Sequence, residues 1–448
     1  MAEIEIDVDV DAPTTAAAEG VGRVRAAVAG SMAGKAAELV TLVLLATVVP
    51  RWLGPDRYGR FSVPLTIVTL GSLALSLGGP TVMARFVPAA PADQRVAVAR
   101  AIGARLARGR ALQLVGLATV GGLAAIIAPD RFPPTTTGLV MLALVLSVGA
   151  TLALQVPLGL GRTGPWSLRY PLQNAVLIVA VLLLHDTWDD LGSVVAILVS
   201  TVIAAGYAAA VLRPLVAQPV EAVALPEGAL RFGAFHAVGA ALVQVAQRGG
   251  VVAVALLGGS SSESGYAALA IGLALGVTYA VLQSFTVALP LVADVDAGTP
   301  AEAEATLGRL AALLLAVVVP AAGLASWLAD RWVPGVFGTD YEPAIDAFGP
   351  ALSMVALAPL TSLAVQLAAL RIRPRVTAAL GVAAAAAFVV TAVAAIPSWE
   401  AVGATCAAFA GTLASASTAL VLLRGAVDRR LVLASFAGAA AVLLAGLT

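Results

Sequence analysis

Long apolar runs follow one another along almost the whole chain, and only short polar segments separate them. A helix needs about 20 mostly apolar residues to cross the hydrocarbon layer of a membrane. Runs of this length, or nearly so, lie at residues 31–52, 60–80, 111–128, 137–157, 170–185, 191–212, 232–257, 263–290, 307–329, 346–370, 376–396, 400–424 and 431–447. The sequence therefore predicts an all-α, polytopic membrane protein with about 12–14 transmembrane helices.

The composition supports this class of protein. Hydrophobic residues make up 60% of the 448 residues and charged residues only 12%, whereas soluble domains carry about 25% charged residues. So few charges cannot cover a water-facing surface of this size. The formal net charge is zero, so the sequence gives no reason to expect a nucleic-acid partner.

Basic residues are distributed unequally between the segments that join the runs. If the N-terminus is cytoplasmic, roughly 20 basic residues, among them Arg110 and Arg169, fall on or near cytoplasmic segments. Roughly 5 fall on the opposite side, namely Arg51, Arg57, Arg60, Arg131 and Arg331. We therefore expect a multi-pass protein of the cytoplasmic (inner) membrane with its N-terminus in the cytoplasm.

The first residues form no signal peptide, because acidic side chains replace the basic start and apolar core that such a peptide needs. We predict a disordered acidic cytoplasmic tail at residues 1–22 and a cytoplasmic linker at 213–231. The linker separates two predicted six-helix bundles, at residues 23–212 and 232–424. Residues 425–448 would form an extra transmembrane helix.

Two segments of the chain resemble each other. Residues 53–88 and 257–291 both begin with Leu-Gly, continue through a short polar stretch with Gly and Tyr, and enter a long apolar helix that ends near a proline. Six spans separate them, an even number, so the two halves would share one orientation in the membrane, as parallel repeats do.

Arg248 is a charged residue in the middle of the seventh apolar run. Gln244 precedes it by one helical turn and shares its face, and Gln247 is its neighbour. Intramembrane charges are expensive and mark functional sites, and a guanidinium matches the two-pronged geometry of phosphate. We predict that Arg248, Gln244 and Gln247 bind a phosphate-bearing substrate. The alternative is a structural pair between Arg248 and a carboxylate such as Glu38, which would lock the two bundles together.

Lys35 and Glu38 lie three residues apart in the first run and therefore on one helix face. The simplest interpretation is a local ion pair near the cytoplasmic end of the helix. The alternative is that Glu38, with Lys35 beside it, is an ion-coupling site that takes up and releases a proton.

Further polar residues in apolar surroundings complete the predicted substrate site. Arg85 follows Gly78, Gly79 and Pro80, which are expected to break the second helix and to expose backbone groups to a cavity. Intramembrane amides suit sugar hydroxyls, although such amides also hydrogen-bond neighbouring helices. These amides are Gln173, Asn174 and Gln283, with Gln155 and Gln366 as further candidates.

The sequence offers no groups for catalysis or for a cofactor. Its one cysteine, Cys406, and its two histidines form no metal-binding pattern. No nucleophile–base pair or nucleotide-binding motif appears, and the glycines of 159–164 (GLGRTG) follow an apolar span instead of a strand. No loop is long enough to fold a catalytic domain. We therefore expect no enzyme, no metal and no cofactor.

Three stretches carry a resemblance to a known family. They are residues 51–59 (RWLGPDRYG), 265–270 (GYAALA) and 337–344 (FGTDYEPA). In these stretches the chain resembles the polysaccharide flippases, of the O-antigen and teichoic type, in the multidrug/oligosaccharidyl-lipid/polysaccharide (MOP) exporter superfamily. The resemblance implies two six-helix bundles around a central cavity that opens alternately to either face.

The resemblance also implies a substrate, an undecaprenyl-pyrophosphate-linked oligosaccharide moved across the cytoplasmic membrane for cell-surface polysaccharide biosynthesis. Membrane lipids and a polysaccharide polymerase or ligase would be its partners. Two alternatives remain open at this point: an ion-coupled small-molecule or drug antiporter of the same superfamily, and a membrane scaffold that transports nothing.

Overall fold

The structure is a computed structural model that describes residues 15–75, 78–129, 132–221, 223–226, 228–293, 300–370, 374–423 and 427–447. Within these residues the regular secondary structure is entirely helical. The α-helices are α1 (Thr15–Ala74), α2 (Gly79–Phe86), α3 (Arg95–Ile127), α4 (Pro134–Gly159), α5 (Thr163–Val216), α6 (Ala229–Arg248), α7 (Gly250–Leu257), α8 (Ser261–Ala293), α9 (Pro300–Trp327), α10 (Ala329–Phe337), α11 (Ile345–Leu370), α12 (Pro374–Leu422) and α13 (Arg429–Ala445). A short 3-10 helix, Thr339–Ala344, joins α10 to α11.

Three of the helices are too long to cross a membrane once. Helix α1 has 60 residues, α5 has 54 and α12 has 49, which at 1.5 Å per residue far exceeds a hydrocarbon layer of about 30 Å. Helix α1 is interrupted at Gly54 and α12 at Glu400, where the backbone is non-helical. Each of these helices is therefore two crossing segments joined by a tight bend.

The bend in α5 is visible in a close backbone approach. A side chain at Gly192 would overlap the carbonyl oxygen of Leu184, although eight residues of continuous helix would hold them about 12 Å apart. Gly403 approaches Ala395 in α12 in the same way. The chain therefore reverses at both places and returns across the membrane.

The predicted number of transmembrane helices agrees with the structure. Nine helices of the described residues are long and apolar enough to span a membrane, or ten with the bent pair α6–α7. Two of the nine contain the breaks at Gly54 and Glu400, so each of them is counted as two crossing segments. Helix α13 has 17 residues, the lower limit for a span, and is counted as one more. The described part of the chain thus holds 13 crossing segments.

The outward faces of these helices suit lipid and not water. On α3, Leu112, Val120, Ile126 and Ile127 are mostly exposed, and on α12 so are Val390 and its neighbours. A water-soluble monomer rarely presents such continuous apolar surface. The all-α membrane fold predicted from the sequence is confirmed.

We group the helices into two bundles, which are joined because α1 packs along α8 as extensively as along α5. Helices α1 to α5 pack on one another, and α6 to α13 form the second group, in which α12 lies along α6 and α11 packs on α8, α9, α12 and α13. Residues 217–228 separate α5 from α6, within the segment predicted as the linker. Of the predicted acidic tail, residues 1–14 lie outside the described residues, and α1 begins at Thr15.

We name the two sides of the molecule by their bends. The Gly54 face carries Gly54, the bend of α5 and the break at Glu400. The Gly78 face carries Gly78, the end of α5 and the start of α6. At the Gly78 face a separate apolar core, with Met83, Ile102, Val156 and Leu215 among its buried residues, fastens α2 and α3 to α4, α5 and α6.

The seventh apolar run differs from the prediction, because it is bent and not straight. Helices α6 and α7 meet at an angle of 60° at Gly249, where the glycine pair Gly249 and Gly250 packs against Phe388 and Ala404 of α12. Arg248 therefore ends a helix. A cation at this position interacts favourably with the unpaired carbonyls of the last turn.

Candidate functional site

A polar group joins the first helix of one bundle to α8 of the other. The Lys35 ammonium lies 2.8 Å from Oε2 of Glu38 and donates a hydrogen bond of 2.8 Å to the hydroxyl of Tyr279. Tyr279 also interacts electrostatically with Glu38. The predicted Lys35–Glu38 ion pair is thus present, and the tyrosine makes it part of a contact between the bundles.

Arg248 faces the same group from α6. Its Nε donates a hydrogen bond of 2.9 Å to Oε1 of Gln244, one turn earlier, and the guanidinium interacts electrostatically with Tyr170 and Tyr279. Among the described residues no carboxylate forms an ion pair with Arg248. The alternative prediction, an Arg248–Glu38 pair, is wrong, because Glu38 is held by Lys35 and Tyr279.

We call Lys35, Glu38, Tyr170, Gln244, Arg248 and Tyr279 the central polar cluster. It draws on α1 and α5 of the first bundle and on α6 and α8 of the second, so it lies between them. Tyr170 is two turns into α5, which starts at the Gly78 face, so the cluster lies in the half of the membrane nearer that face. Two cations and one carboxylate leave it with a net positive charge.

Sequence reasoning missed the two tyrosines of the cluster. The chain has only six tyrosines, and a tyrosine hydroxyl inside a span needs a hydrogen-bond partner. Both carry an amide one turn later on the same helix face, Asn174 after Tyr170 and Gln283 after Tyr279. This spacing is the sequence signal from which the two tyrosines could have been predicted.

Two predicted amides of α5 border the cluster. Asn174 is buried, and its Nδ2 donates a hydrogen bond of 3.2 Å to the hydroxyl of Thr41, one turn beyond Glu38 on α1. Gln173 keeps a buried Oε1 that has no hydrogen-bond partner. One amide therefore ties helices together, while the other retains a free acceptor.

Of the remaining predicted site residues, Gln283 and Gln247 lie beside cluster residues and Arg85 does not. Gln283 is half-buried on the Tyr279 face of α8, and Gln247 is buried beside Arg248. Arg85 is exposed in the last turn of α2, above the ring of Phe86. The structure thus groups Arg248, Gln244, Glu38 and Lys35, and it leaves Arg85 at the Gly78 face.

The sequence placed Arg110 and Arg169 among the cytoplasmic arginines, which suggested surface positions. The structure buries both instead. They are the two largest fully buried side chains, at 0% and 1% exposure. Arg169 donates hydrogen bonds to the hydroxyl of Thr151 (2.6 Å) and to the carbonyl oxygen of Ser147 (3.1 Å). The expectation failed because the side chains of both residues point into the first bundle and not towards water.

At the Gly54 face the bundles touch through two glycines. Gly59 packs on the backbone of Ser261, and Gly265 packs on the backbone of Pro55, so that a Cβ at either glycine would overlap a carbonyl oxygen. The contact is reciprocal between the two segments that resemble each other in sequence. Their Leu-Gly glycines, Gly54 and Gly258, both have positive φ, of 71° and 99°.

Hydrogen bonds reinforce this closure. The Tyr341 hydroxyl donates to the carbonyl oxygen of Pro50 at 2.9 Å, and Arg51 donates to that of Val336 at 3.1 Å. Both bonds link α1 to the α10 region of the second bundle. The Gly54 face is therefore shut in this conformation.

At the Gly78 face a second glycine contact joins the bundles. Gly78, with φ of 64°, ends the break that the Gly-Gly-Pro sequence predicts, and it packs directly against the backbone of Gly233 in α6. Gly79 lies against the side-chain amide of Gln155. The exposed backbone groups of the break were expected to line a cavity, but these two glycines are instead packed against the other bundle and α4.

The fold defines the class of protein, a multi-pass helical membrane protein. Its central polar cluster lies between two groups of helices that also touch through glycines at both faces. Among the described residues no group of three or more His, Cys, Asp or Glu side chains could hold a metal ion.

Solved structures with a similar fold include a lipid flippase and a MATE transporter. The lipid II flippase MurJ, in an inward closed conformation, matches 93% of this chain and 91% of its own with a TM-score of 0.65 and 9% identity. A single-site mutant of the Vibrio cholerae MATE transporter VcmN matches 89% of this chain and 98% of its own, with a TM-score of 0.61 and 15% identity.

These similarities establish the fold. Both neighbours are transporters of the MOP superfamily, and a second structure of VcmN, in the bent form, covers 94% of this chain at a TM-score of 0.55 and 14% identity. No protein-family model and no curated protein matches the sequence. The chain is therefore a multi-pass membrane protein with the fold of these transporters.

Proposed function

We propose that the protein is a flippase for a lipid-linked oligosaccharide, an undecaprenyl-pyrophosphate conjugate, and that it works by alternating access. The observation that carries the proposal is Arg248, a permanent cation between the two bundles that has no described carboxylate partner. Arg248 is half-buried, and a charge withdrawn from water without a counter-ion is disfavoured, so an anionic substrate would supply the negative charge that the cluster lacks.

The chemistry of the cluster favours a phosphate-bearing substrate. Among the described residues only Gln244 hydrogen-bonds the Arg248 guanidinium, through Nε, which leaves the terminal nitrogens for a two-pronged contact with phosphate. Lys35 adds a second cation, whose charge Glu38 balances. The lipid II flippase among the structural neighbours agrees with a lipid-linked substrate.

Neutral polar groups near the cluster suit the sugar part. The free Oε1 of Gln173 and the amide of Gln283 lie one turn from cluster residues or beside them. Asn174 completes the amides proposed for the sugar hydroxyls, while Gln244 and Gln247 stay with Arg248 as the proposed phosphate contact. Arg85, exposed at the Gly78 face, would meet the substrate first.

Alternating access would use the two glycine contacts. With the N-terminus in the cytoplasm, as the arginine distribution indicates, the Gly78 face is cytoplasmic. The substrate would enter when Gly78 and Gly233 separate, and it would leave when Gly59 and Gly265 part from their partners. A polysaccharide polymerase or ligase would then use it outside.

The direct test is the location of the substrate in a deletion strain. We expect one lipid-linked oligosaccharide to accumulate in the cytoplasmic leaflet, as measured by mass spectrometry of membrane lipids together with an impermeant probe of leaflet position. Unchanged surface polysaccharide without such accumulation would contradict the proposal and would favour a scaffold or a small-molecule exporter.

A buried carboxylate supports a second candidate function, ion-coupled antiport of a small molecule. Glu38 is only 5% exposed and contacts the other bundle through Tyr279. Protonation of Glu38 would free Lys35 and change the inter-bundle contact. The MATE transporter among the neighbours has the same fold, so the role of Glu38 decides between the candidates.

Replacement Glu38→Gln separates these candidates. For a flippase that is not driven by protons, we expect flipping to persist within about threefold, because the amide still accepts a hydrogen bond from Lys35 or Tyr279. Loss of stimulation by a pH gradient, with downhill transport intact, would instead identify Glu38 as the coupling site. The measurement is transport in proteoliposomes with and without an imposed pH gradient.

A further inference from the structure

A second arginine of the first bundle is buried more deeply than Arg248. Arg169 is 1% exposed, and its two terminal nitrogens donate to Thr151 and Ser147. Its guanidinium also lies 4.9 Å from the ring centre of Tyr170. Every one of these contacts is with a neutral group.

No described carboxylate balances this charge. Among the residues that the structure describes, none has a carboxylate oxygen within 4.0 Å of the Arg169 guanidinium, and the neighbouring Glu38 is held by Lys35 and Tyr279. An arginine cannot lose its proton to escape the cost of burial. Hydroxyls and carbonyls reduce that cost, but they do not supply a countercharge.

Buried hydrogen-bonding atoms of α4 and α5 are also left without partners among the described residues. They are Nε of Arg169 and both the oxygen and the nitrogen of the Gln155 amide, which is 0% exposed and lies against Gly79. Gln155 lies one turn from Thr151 on α4, and Gln173 lies one turn from Arg169 on α5, so helical spacing brings both amides to this side of their helices.

We propose that a small monoatomic anion, of the chloride class, binds beside Nε of Arg169, between α4 and α5. The anion would accept a hydrogen bond from the free N–H of Arg169 and would supply the missing negative charge, and the amide nitrogen of Gln155 on α4 is the further donor proposed. Phosphate and carboxylate fit less well, because Thr151 and Ser147 occupy the terminal nitrogens that a two-pronged contact needs.

This site is distinct from the central polar cluster and does not depend on the proposed function. Arg169 turns towards Thr151 and Ser147 of α4, whereas Arg248 lies on α6 of the other bundle. A transported substrate would have to leave the cluster in every cycle. The anion beside Arg169 would instead stay within one bundle and stabilise it.

The first experiment measures the melting temperature of the purified protein in chloride and in gluconate at equal ionic strength. Binding to the folded state raises the melting temperature by mass action, so we expect a saturable increase on the order of 2–4 °C with added chloride. Arg169→Gln should abolish this increase and Arg169→Lys should keep it. Arg248→Gln, as the matched control, should leave it unchanged.

The second experiment needs no variant. Crystals grown in bromide should show an anomalous scattering peak within hydrogen-bonding distance of Nε of Arg169. Equal melting temperatures in the two salts and the absence of that peak would overturn the proposal and leave water as the occupant. A salt response that survives Arg169→Gln but disappears in Arg248→Gln would also overturn it, because the anion would then lie in the central cluster.

Discussion

Replacing Arg248 by alanine is expected to lower the transport rate on the order of 100-fold while the protein still folds and reaches the membrane. Loss of one partner of a buried, charge-assisted contact costs about 2–5 kcal/mol, and each 1.4 kcal/mol is a factor of ten. Among the described residues Arg248 hydrogen-bonds only to Gln244 of its own helix, so its removal breaks no hydrogen bond between helices. The loss should therefore affect substrate handling and not stability.

Two further variants make this prediction specific. Arg248→Lys keeps the charge but loses the planar fork, so it should restore only part of the activity if phosphate is held by two hydrogen bonds. Arg309→Ala removes an exposed arginine of α9 and should transport at the wild-type rate. The measurement is flipping of the lipid-linked oligosaccharide in proteoliposomes, scored with an impermeant probe. Wild-type activity in Arg248→Ala would exclude a phosphate contact and favour a scaffold.

The overall fold could be predicted from the sequence because lipid imposes a simple rule. Every backbone polar group in the hydrocarbon must bond within its own helix, so each run of about 20 apolar residues becomes a crossing segment. The resemblance between residues 53–88 and 257–291 also indicated a shared local backbone, because both Leu-Gly glycines adopt positive φ. The bend at Gly249 was not predicted from the sequence, because the apolar run continues through it.

The candidate site was predictable only in part. Arg248, Gln244, Lys35 and Glu38 were noticed because charges and amides are rare in apolar runs, and the structure brings these four together. Their connection through Tyr170 and Tyr279 depends on how two bundles pack, which periodicity along one helix cannot reveal. Arg169 was misplaced for a related reason: it lies near the end of a run, where a surface arginine and one that turns into the bundle look alike in sequence.

The glycine contact at the Gly54 face explains how the two bundles can close without interlocking side chains. At Gly59 and Gly265 backbone lies directly on backbone, and small residues permit such approaches between membrane helices. The contact is close but includes few bonds, chiefly those of Tyr341 and Arg51 with carbonyl oxygens. A face closed in this way can reopen at modest cost, as the proposed alternating access requires.

Replacing Gly265 by valine should prevent the Gly54 face from closing and should nearly abolish transport. Any Cβ at this position would overlap the carbonyl oxygen of Pro55, and backbone cannot move aside as a side chain can. A penalty of about 3 kcal/mol would lower the population of the closed state on the order of 100-fold. Gly59→Val should do the same, because its Cβ would meet Ser261 from the other side of the reciprocal contact.

Closure can be measured apart from transport by cross-linking the two bundles. In a Cys406→Ala background, cysteines at the exposed positions Trp52 and Val336, beside the Arg51 hydrogen bond, should react together with a short bifunctional maleimide. Gly265→Val should lose this cross-link. Gly272→Val, two turns further along α8 where a Cβ meets nothing within 4 Å, should keep both the cross-link and transport. If Gly265→Val retained both, the glycine contact could not be the gate, and closure would depend on Tyr341 and Arg51 instead.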